Sequence, residues 1–458
     1  MNTDLIIIGC GPGGYHAAEH AAKHGLNVVI IERAFAGGTC LNCGCIPTKT
    51  LARHAEILDN LKEHAVFGLN IAEGEKNIDP TFSVDFARIM QRKQQVVEQL
   101  RNGVETLMRQ PGITFIKGEA SFCDVHTVEV RMLETGEVEQ ISAPNIIIAT
   151  GSSTKLLPVS GINQSHVITS ERLLSLPQLP QSLCIIGAGV IGMEFASIFS
   201  SFGTKVTVVE YLKECLPALD SDIAKRLRQT LAKRNIQFFM QSEVKEIKGN
   251  NVVFERKGKV ETVNAEYILM ATGRQPNVSG LHLDKTGIDY SVKGISVDDN
   301  MQTTVPGIYA IGDVNARMML AHAAQFQGFR AVNHILRKDD DINLNIMPAA
   351  VFTRPEAASV GLSEDQCKAQ EIPYLCKKGF FRANGKAVAM NETDGMLKLI
   401  ADNSGKIIGC HVFGPHAADI AQEASSLMCR QTTLAQLKDM VHIHPTLNEL
   451  LHEASMQP

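Results

Sequence analysis

Three cysteines stand close together near the start of the chain, at Cys40, Cys43 and Cys45 in the segment GGTCLNCGCIPTK. A structural metal site usually takes four ligands, often as two separated C-x-x-C pairs, and the sequence has no second pair, so we expect no metal. Cys40 and Cys43 have the C-x-x-C spacing of thioredoxin-like redox sites. Cys40 and Cys45 could instead form a redox-active disulfide, for which the nearby glycines and Pro47 permit a distorted turn. The residues alone leave these two thiol chemistries open.

The elements around this cluster follow a pattern that occurs twice in the chain. In each copy an apolar strand runs into G-x-G-x-x-G, a helical stretch follows, and a second apolar strand ends in a glutamate. The residues that define the pattern are Gly9, Gly11, Gly14 and Glu32 in the first copy and Gly187, Gly189, Gly192 and Glu210 in the second. The glutamate follows the first glycine by 23 residues in both copies. One such motif is weak evidence, but two with equal spacing predict two dinucleotide-binding sites.

The chemistry of these motifs comes from their glycines and from the helix that begins there. The first glycine makes the tight turn, the second lets the backbone approach a pyrophosphate, and the third lets the helix pack on the strand. Amide groups at the helix N-terminus then hold the phosphates. In the second copy the carboxylate of Glu210 favours the free 2′-hydroxyl of NAD over the 2′-phosphate of NADP, and the next residues, YLK, supply no arginine cluster. We therefore expect NAD as the nicotinamide cofactor.

Length and composition exclude several classes of protein. The 458 residues are too many for one core and predict roughly three domains of about 150 residues each. With 44 basic and 49 acidic side chains the net charge is −5, without the basic excess of a nucleic-acid-binding protein. No apolar run approaches the roughly 18 residues of a membrane span, and the N-terminus has no targeting leader, so we expect a cytoplasmic protein. Eleven cysteines, an odd number, also favour a reducing compartment.

The cysteine segment resembles the active-site motif GGTCLNxGCIPTK of the flavin-dependent pyridine nucleotide–disulfide oxidoreductases, and the similarity extends from Met1 to about Glu453. The resemblance implies that the first glycine motif binds FAD, that the second binds NAD, and that a disulfide between Cys40 and Cys45 lies against the flavin. Cys43 departs from the family, whose members usually carry no thiol at that position. We expect Cys43 to take no part in the reaction.

The resemblance also implies the fold class and the division into domains. We expect an α/β protein with two Rossmann-like dinucleotide-binding domains and a C-terminal α+β dimerisation domain. The expected boundaries are 1–150 for the FAD-binding domain, 151–272 for the NAD-binding domain, 273–343 for a central domain that completes the FAD site, and 344–458 for the interface domain. Residues 83–110 have helical periodicity with mixed charge on the other faces, which predicts a surface helix.

The family assigns further residues to each cofactor. The residues expected to bind FAD lie in the first glycine motif, the cysteine segment and later turns, and they are Gly9, Gly11, Gly14, Glu32, Arg33, Gly38, Thr39, Lys49, Ala120, Thr150, Gly151, Ser152, Gly312, Asp313, Met319, Leu320, Ala321 and His322. The residues expected to bind NAD lie in and after the second motif, and they are Gly187, Gly189, Val190, Ile191, Gly192, Glu194, Glu210, Val244 and Gly273.

The tail of the chain narrows the resemblance to one branch of the family. The segment HIHPTLNE is similar to the H-x-H-P-T-L-x-E of members that oxidise dihydrolipoyl groups, as are FTRPE at 352–356 and MNETDG at 390–395. In those proteins the histidine before the proline is the acid–base group and the glutamate five residues later orients it; here these are His444 and Glu449. Such a base is needed because the thiolate, not the thiol, is the nucleophile. Those members deliver the histidine from the partner subunit, which implies a homodimer with shared active sites.

The implied reaction is the oxidation of protein-bound dihydrolipoyl groups to lipoyl groups with reduction of NAD, through Cys40, Cys45 and FAD. Lys49, four residues after Cys45, is expected to stabilise negative charge on thiolate and flavin, with Glu194 as its ion-pair partner. The expected partner is a lipoyl-bearing acyltransferase of a 2-oxoacid dehydrogenase complex or the carrier protein of a glycine-cleavage system, with no nucleic acid and no membrane. Two further functions stay open: another NAD(P)H-dependent flavin disulfide reductase, and an NADH oxidase or redox sensor.

Overall fold

The structure is a computed structural model, and it describes residues 1–69 and 83–457. Its helices are α1 (Pro12–Lys23), α2 (Gly38–Cys43), α3 (Cys45–Lys62), α4 (Phe86–Leu107), α5 (Ser170–Leu173), α6 (Val190–Ser201), α7 (Ser221–Ala232), α8 (Ala321–Ile335), α9 (Glu364–Ala369), α10 (Gly385–Ala389), α11 (Ala417–Cys429), α12 (Leu434–Lys438) and α13 (Glu449–Ser455). Short 3-10 helices lie at His64–Phe67, Leu283–Lys285, Gly312–Asn315 and Phe381–Ala383.

The strands belong to several separate sheets. They are β1 (Leu5–Ile8), β2 (Val28–Glu32), β3 (Ile113–Phe122), β4 (Thr127–Met132), β5 (Val138–Ser142), β6 (Asn145–Ile148), β7 (Ser152–Thr154), β8 (Val167–Ile168), β9 (Ser182–Ile186), β10 (Lys205–Val209), β11 (Ile236–Phe239), β12 (Ser242–Lys248), β13 (Asn251–Arg256), β14 (Lys259–Asn264), β15 (Tyr267–Met270), β16 (Arg274–Pro276), β17 (Tyr290–Ser291), β18 (Gly294–Ile295), β19 (Ile308–Ala310), β20 (Ala349–Val351), β21 (Glu356–Gly361), β22 (Tyr374–Phe380), β23 (Met396–Asp402) and β24 (Ile407–Gly414).

The chain forms two compact units, each assembled from three separate stretches of sequence. Unit 1 consists of Met1–Thr48, Met90–Lys155 and Gly273–Leu344. Unit 2 consists of Leu156–Thr272 together with the described parts of Lys49–Ile89 and Asn345–Pro458. Each unit therefore has its own sheets and its own core, and each contains one of the two glycine motifs.

Unit 1 is built on a seven-stranded sheet with the order β19-β6-β1-β2-β3-β4-β5. The strands from β19 to β3 are parallel, whereas β3, β4 and β5 pair antiparallel. Strand β1 is buried along its whole length, as expected for a parallel strand that is covered on both faces. Its side chains alternate between two cores. Leu5 and Ile7 pack with residues of α1 and α8, whereas Ile6 and Ile8 pack on the other face with Phe122.

The helix predicted within residues 83–110 is α4. Val97 and Val104 of this helix are buried in the core that holds β1, whereas Leu100 is exposed. This distribution is typical of an amphipathic helix that packs one face on a domain. Among the residues that the structure describes, none of the helices combines the length and the apolar character of a membrane span.

Unit 2 contains a second parallel sheet, with the order β11-β10-β9-β15-β8. An antiparallel sheet of β12, β13 and β14 accompanies it. The C-terminal part forms a five-stranded antiparallel sheet, β20-β21-β24-β23-β22. Helices α11, α12 and α13 contribute Ile420, Leu437 and Leu450 to the core that also holds Leu399 and Val412 of this sheet. The C-terminal part therefore has the α+β architecture that the sequence predicts.

In each parallel sheet one strand leads into the same kind of turn. Strand β1 leads into residues 9–14, which we call the first glycine turn, and β9 leads into residues 187–192, which we call the second glycine turn. A Cβ atom on Gly14 would lie 1.9 Å from the carbonyl oxygen of Gly9, and a Cβ atom on Gly192 would lie 2.1 Å from that of Gly187. Only glycine allows the helix to approach the strand so closely. The predicted α/β class with two Rossmann-like units is confirmed.

Candidate active site

Cys40 and Cys45 form a disulfide, with their Cα atoms 4.6 Å apart. On one regular helix, residues five positions apart would be about 140° out of phase and their sulfurs could not meet. Here α2 ends at Cys43 and α3 begins at Cys45, with Gly44 between them outside the helical conformation. A Cβ atom on Gly44 would lie 2.9 Å from the carbonyl oxygen of Thr39, so this tight break requires glycine. The break is what brings the two cysteines together.

Cys43, the third thiol of the segment, is partly buried and is one of nine cysteines that lie outside the disulfide. Burial raises the pKa of Cys10, Cys184 and Cys410 to about 12, which leaves these thiols protonated and unreactive. Among residues 1–69 and 83–457, no cluster of three or more histidine, cysteine or acidic side chains is arranged to hold a metal ion.

The glutamate at the end of each repeat binds the backbone of its own glycine turn. The N–H of Cys10 donates to Oε2 of Glu32 over 2.8 Å, and the N–H of Ala188 donates to Oε2 of Glu210 over 2.5 Å. The second oxygen accepts from the N–H two residues later, of Ala34 in one repeat and of Leu212 in the other. The two repeats thus match in the contacts of their carboxylates as well as in spacing.

The residues present fit the pyrophosphate of a dinucleotide at both turns. A Cβ atom on Gly189 would meet no atom within 4 Å, and one on Gly11 would meet only the Cα atom of Gly38, at 3.9 Å. The second glycine of each turn therefore leaves its backbone open beside the first turn of α1 or α6, where unpaired N–H groups attract phosphate. Val190 and Ile191 lie in the first turn of α6, and Val244 packs beside the core of the same unit.

A polar network in unit 1 joins two segments that are predicted to bind FAD. The hydroxyl of Ser152 donates to the carboxylate of Asp313. Arg274 donates through Nε to the hydroxyl of Ser152 over 2.7 Å and through Nη2 to its carbonyl over 2.6 Å. Thr150 and Asn277 exchange two further hydrogen bonds, of 2.8 and 3.0 Å. Pairing of β7 with β16 creates this network, and it brings Gly273, predicted to bind NAD, into the same unit.

Apart from Lys49, which belongs to unit 2, the other residues predicted to bind FAD are spread over unit 1. Arg33 forms an exposed ion pair with Glu119 at 3.6 Å, and Ala120 is buried in the core on β3. The N–H of Gly312 donates to the side chain of Gln327 over 2.7 Å. The remaining residues lie at the start of α2 or at the start of α8 and just before it, and they are Gly38, Thr39, Met319, Leu320, Ala321 and His322.

Lys49 and Glu194 form an ion pair in unit 2. Nζ of Lys49 donates to both carboxylate oxygens of Glu194, each over 2.9 Å. The Glu194 side chain is only 4% exposed, so this charge depends on Lys49 and on the backbone N–H of Phe352, which donates over 2.9 Å. The ammonium group also lies 4.8 Å from the centre of the Phe352 ring, within the range of a cation–π interaction.

His444 and Glu449 are paired at the start of α13. Nδ1 of His444 lies 3.0 Å from Oε1 of Glu449, and the N–H of Thr446 donates to Oε2 over 2.8 Å. The hydrogen bond from Thr446, with the smaller effect of His444, lowers the pKa of Glu449 below its usual value, so the carboxylate is charged. The His444 side chain is 79% exposed, and its neighbours Val441 and Ile443 are 99% and 80% exposed.

Two residues of these networks are not singled out by the sequence. Arg274 directly follows the small residues 271–273 (ATG) at the end of the second repeat. A basic side chain at that point is a sequence signal from which its role in the network could have been predicted. Phe352 belongs to the FTRPE segment, but its contacts with Lys49 and Glu194 depend on tertiary packing that no local pattern reveals. His442, two residues before His444, lies 3.0 Å through Nε2 from Oε1 of Glu423.

Comparison with known proteins gives relatives along the whole chain. The sequence is 39% identical over 460 residues to the dihydrolipoyl dehydrogenase of Chlamydia muridarum, covering 99% of this chain and 96% of the relative. It is 37% identical over 455 residues to a dihydrolipoyl dehydrogenase of Bacillus subtilis, covering 98% and 97%. Among solved structures, the Cu(II) complex of the HOCl-induced flavoprotein disulfide reductase RclA from Escherichia coli is similar with a TM-score of 0.87, at 30% identity over 99% of both chains.

The family models agree with these relatives and divide the chain in two. The model of pyridine nucleotide-disulphide oxidoreductases matches residues 3–328, and the model of the dimerisation domain of the same family matches residues 347–455. The disulfide and both glycine turns lie within the first match, and His444 and Glu449 lie within the second. The chain therefore belongs to the pyridine nucleotide-disulphide oxidoreductase family.

Proposed function

We propose that this protein is an NAD-dependent flavoprotein that oxidises protein-bound dihydrolipoyl groups to lipoyl groups, the activity for which its dihydrolipoyl dehydrogenase relatives are named. The observation that carries the proposal is the Cys40–Cys45 disulfide, which follows the first glycine turn in the same unit. A disulfide can oxidise a dithiol substrate directly, because thiol–disulfide exchange transfers two electrons without a radical step.

The two cofactors of this activity are FAD and NAD. FAD would be held by the first glycine turn, by Glu32 and by the network of Ser152 and Asp313, and NAD by the second glycine turn with Glu210. When bound, FAD supplies a route for two electrons from the reduced cysteine pair to NAD. The carboxylate of Glu210, which is buried and bound to the turn, supports the preference for NAD, because it would repel a 2′-phosphate.

The residues of the chain supply the thiol chemistry. Nδ1 of His444 is occupied by Glu449, which leaves Nε2 to take the proton from a substrate thiol. The substrate thiolate then attacks Sγ of Cys40, and Cys45 leaves as a thiolate. The sulfur of the second substrate thiol then attacks the substrate sulfur of the mixed disulfide, which closes the lipoyl ring, and its proton passes to Cys40, which leaves as a thiol. The disulfide is reduced to a dithiol as the substrate is oxidised to a disulfide, so the electrons balance.

We assign to Lys49 the stabilisation of negative charge. It follows Cys45 by four residues on α3, and Glu194 and Phe352 hold its ammonium group in unit 2. A cation near a cysteine lowers the pKa of the thiol and favours the thiolate that leaves in the exchange step.

The active form is proposed to be a homodimer in which each active site takes His444 from the partner subunit. Three observations support this: the match to the family's dimerisation domain, the 79% exposure of His444, and the two exposed apolar side chains of Val441 and Ile443 beside it. Exposed apolar residues in one place are typical of an interaction surface. We also propose the domain division 1–150, 151–272, 273–343 and 344–458, in which the last domain contains the match to the dimerisation domain.

The lipoyl group would be presented by another protein, a lipoyl-bearing acyltransferase of a 2-oxoacid dehydrogenase complex or the carrier protein of a glycine-cleavage system. We propose a cytoplasmic location, which nine free thiols beside a single disulfide support, since such thiols persist in reducing compartments.

The test is reduction of NAD by dihydrolipoamide, with NADP and glutathione as controls. We expect turnover with NAD and dihydrolipoamide, little with NADP, and none with glutathione. Titration with one equivalent of dithiol should also produce the long-wavelength absorption of a thiolate beside oxidised flavin. A purified protein without flavin, or equal rates with NAD and NADP, would contradict the proposal.

A second candidate is an NADH-dependent disulfide reductase with another electron acceptor. The structural similarity to the flavoprotein disulfide reductase RclA favours this candidate over an oxidase or a redox sensor. The same preparation distinguishes the two candidates, because such a reductase would oxidise NADH with its own acceptor and leave dihydrolipoamide unused. Rapid oxygen consumption with NADH alone would indicate an oxidase instead.

A further inference from the structure

A buried charged cluster lies in unit 2, apart from the disulfide and from the glycine turns. It consists of Asp220, Glu364, Lys398 and His411. Nζ of Lys398 lies 2.7 Å from Oδ1 of Asp220 and 2.6 Å from Oε2 of Glu364, and the side chains of Lys398 and Asp220 are 3% and 0% exposed. Burying such charges costs desolvation energy that apolar packing would avoid. The cluster is therefore poorly explained by stability alone.

The hydrogen bonds of the cluster keep the carboxylate of Glu364 and the ammonium group of Lys398 charged. The hydrogen bond from Lys398 lowers the pKa of Glu364 to about 2. Burial acts to lower the pKa of Lys398, but its hydrogen bonds to Asp220 and Glu364 outweigh burial and raise it. Burial lowers the pKa of His411 to about 4, and the neutral ring accepts from the N–H of Asp220 over 3.1 Å. Asp220 is thus held through both its side chain and its backbone.

Asp220 is also the residue at which α7 begins. Its Oδ1 accepts from the N–H of Asp222 over 3.1 Å and from the N–H of Ile223 over 3.5 Å, which makes it the N-cap of the helix. This carboxylate is held by Nζ of Lys398 and by the backbone N–H of Glu364, which donates to Oδ2 over 3.2 Å, and both residues belong to the part of the chain that matches the dimerisation domain. The position of α7 is therefore set from outside the parallel sheet to which the helix belongs.

The loop 211–219, which precedes α7, lies against the second glycine turn. The N–H of Leu216 donates to the carbonyl of Ala188, between the first two glycines of the turn, over 2.9 Å. Within the loop, Glu214 forms two hydrogen bonds with Arg228 of α7, over 2.6 and 2.9 Å. The loop is thus bound at one side to the glycine turn and at the other to the helix. A displacement of α7 would be transmitted through the loop to the turn.

We propose that Lys398 is a positioning residue for the nicotinamide dinucleotide: by holding Asp220 it fixes α7 and the loop 211–219, and so keeps the second glycine turn in the conformation that binds the ADP-ribose half. The inference rests on the proposed function, because that function assigns NAD to this turn. It goes beyond that function in giving the dimerisation domain a part in nucleotide affinity.

The experiment compares the Lys398→Met holoenzyme with the wild type. We expect the KM for NAD and the dissociation constant of ADP-ribose, measured by calorimetry, each to rise about fivefold. The kcat at saturating NAD and the KM for dihydrolipoamide should stay within about twofold, because nothing near the disulfide changes. A uniform loss of kcat with unchanged ADP-ribose affinity would indicate general damage and would overturn the proposal.

The matched control is Arg226→Met. Arg226 is also on α7 and is paired with Asp222 at 2.9 Å, but the pair is exposed and does not reach the buried cluster. Its removal should leave the ADP-ribose dissociation constant unchanged. If Arg226→Met raised the ADP-ribose dissociation constant as much as Lys398→Met does, any substitution that affects α7 would have the same effect. That result would contradict a special role for Lys398.

A second variant covers the case in which Lys398→Met does not fold. Asp220→Asn keeps a side-chain oxygen that can cap α7 but removes the charge that Lys398 holds, so it should raise the ADP-ribose dissociation constant in the same direction, by about twofold. Unchanged affinity in this variant would overturn the proposal. ADP-ribose binding without oxidation of dihydrolipoamide would instead refute the proposed function and leave the inference about the loop standing. A wild type that does not bind ADP-ribose would refute the inference.

Discussion

Gly44 determines which cysteines can pair, because it ends one helix and lets the next begin. Cys40 and Cys43 lie three positions apart on α2, where Cβ atoms are about 5–6 Å apart, farther than a disulfide allows. The break at Gly44 turns Cys45 back toward Cys40 instead. The C-x-x-C interpretation that the residues alone left open is therefore wrong for this structure, and Cys43 lies outside the disulfide.

The first prediction concerns this free thiol. Cys43→Ser should retain turnover with dihydrolipoamide and NAD within about twofold, because the substitution is small and leaves the disulfide intact. Titration of the unfolded oxidised protein should count one thiol fewer than the nine of the wild type. Cys40→Ser is the matched control and should abolish turnover. A collapse of turnover in Cys43→Ser would show that the third thiol takes part in the reaction.

The second prediction concerns the acid sensitivity that His411 confers. Burial lowers the pKa of this histidine to about 4. Between pH 6.5 and 4 the histidine is therefore protonated in the unfolded chain and neutral in the folded protein. The contribution of the neutral His411 to the free energy of unfolding is fully present above pH 6.5. It is lost as the pH falls toward 4, by about 3 kcal/mol in total. Denaturant unfolding from pH 7 to 4.5 should therefore weaken the wild type more than His411→Gln. Parallel stability curves for the two proteins would contradict this account.

At the scale of elements, each parallel sheet presents a glycine turn and the start of a helix, and the second and third glycines have different tasks. The second leaves open space for a phosphate, whereas the third makes room for the strand. Because the two tasks belong to neighbouring residues of one turn, substitution by alanine can separate binding from folding.

The third prediction uses this contrast in the second turn. Gly192→Ala should destabilise the protein by roughly 1–3 kcal/mol, because its Cβ atom would lie 2.1 Å from a carbonyl oxygen. Gly189→Ala should leave the melting temperature unchanged and raise the KM for NAD, because its Cβ atom meets no protein atom but occupies the space for a phosphate. Calorimetric melting and steady-state kinetics measure both effects. Equal melting temperatures for both variants would refute the assignment of tasks.

The sequence was sufficient to predict the elements that repeat and insufficient to predict the contacts between them. Glycine spacing, apolar strands and the glutamate at the end of each repeat are local signals, and they located β1, α1, β9 and α6. The roles of Arg274, Phe352 and Lys398 depend on pairing between distant segments, which no local pattern encodes. Family resemblance, not geometry, suggested the pairing of Cys40 with Cys45, because the break of the helix at Gly44 could not be read from composition.

At the scale of the whole molecule, the thiols and the proposed acid–base histidine stand at opposite ends of the sequence. The disulfide belongs to unit 1, and His444 belongs to the part of unit 2 that matches the dimerisation domain. If each site takes its histidine from the partner, a chain that lacks one function can be rescued by a chain that lacks the other.

The fourth prediction is this rescue. Cys45→Ser and His444→Gln chains, each inactive alone, should regain about a quarter of wild-type turnover when they are unfolded and refolded together in equal amounts. Half of the dimers would then be hybrids, and each hybrid would contain one intact site. Refolding each variant separately and then mixing is the control. If hybrids isolated by affinity tags recover no turnover, the disulfide and the His444 of one active site belong to the same chain.

The solvent exposure of Val441 and Ile443 has a consequence for the biosynthesis of the protein. If the proposed dimer covers them, a newly translated chain exposes both apolar side chains to water until it meets a second copy, and chaperones and proteases act on such surfaces. Association of two chains is second order in the concentration of chains. A cell that makes few copies therefore loses a larger fraction of them before they dimerise. The yield of mature enzyme should therefore rise more steeply than the rate of its synthesis.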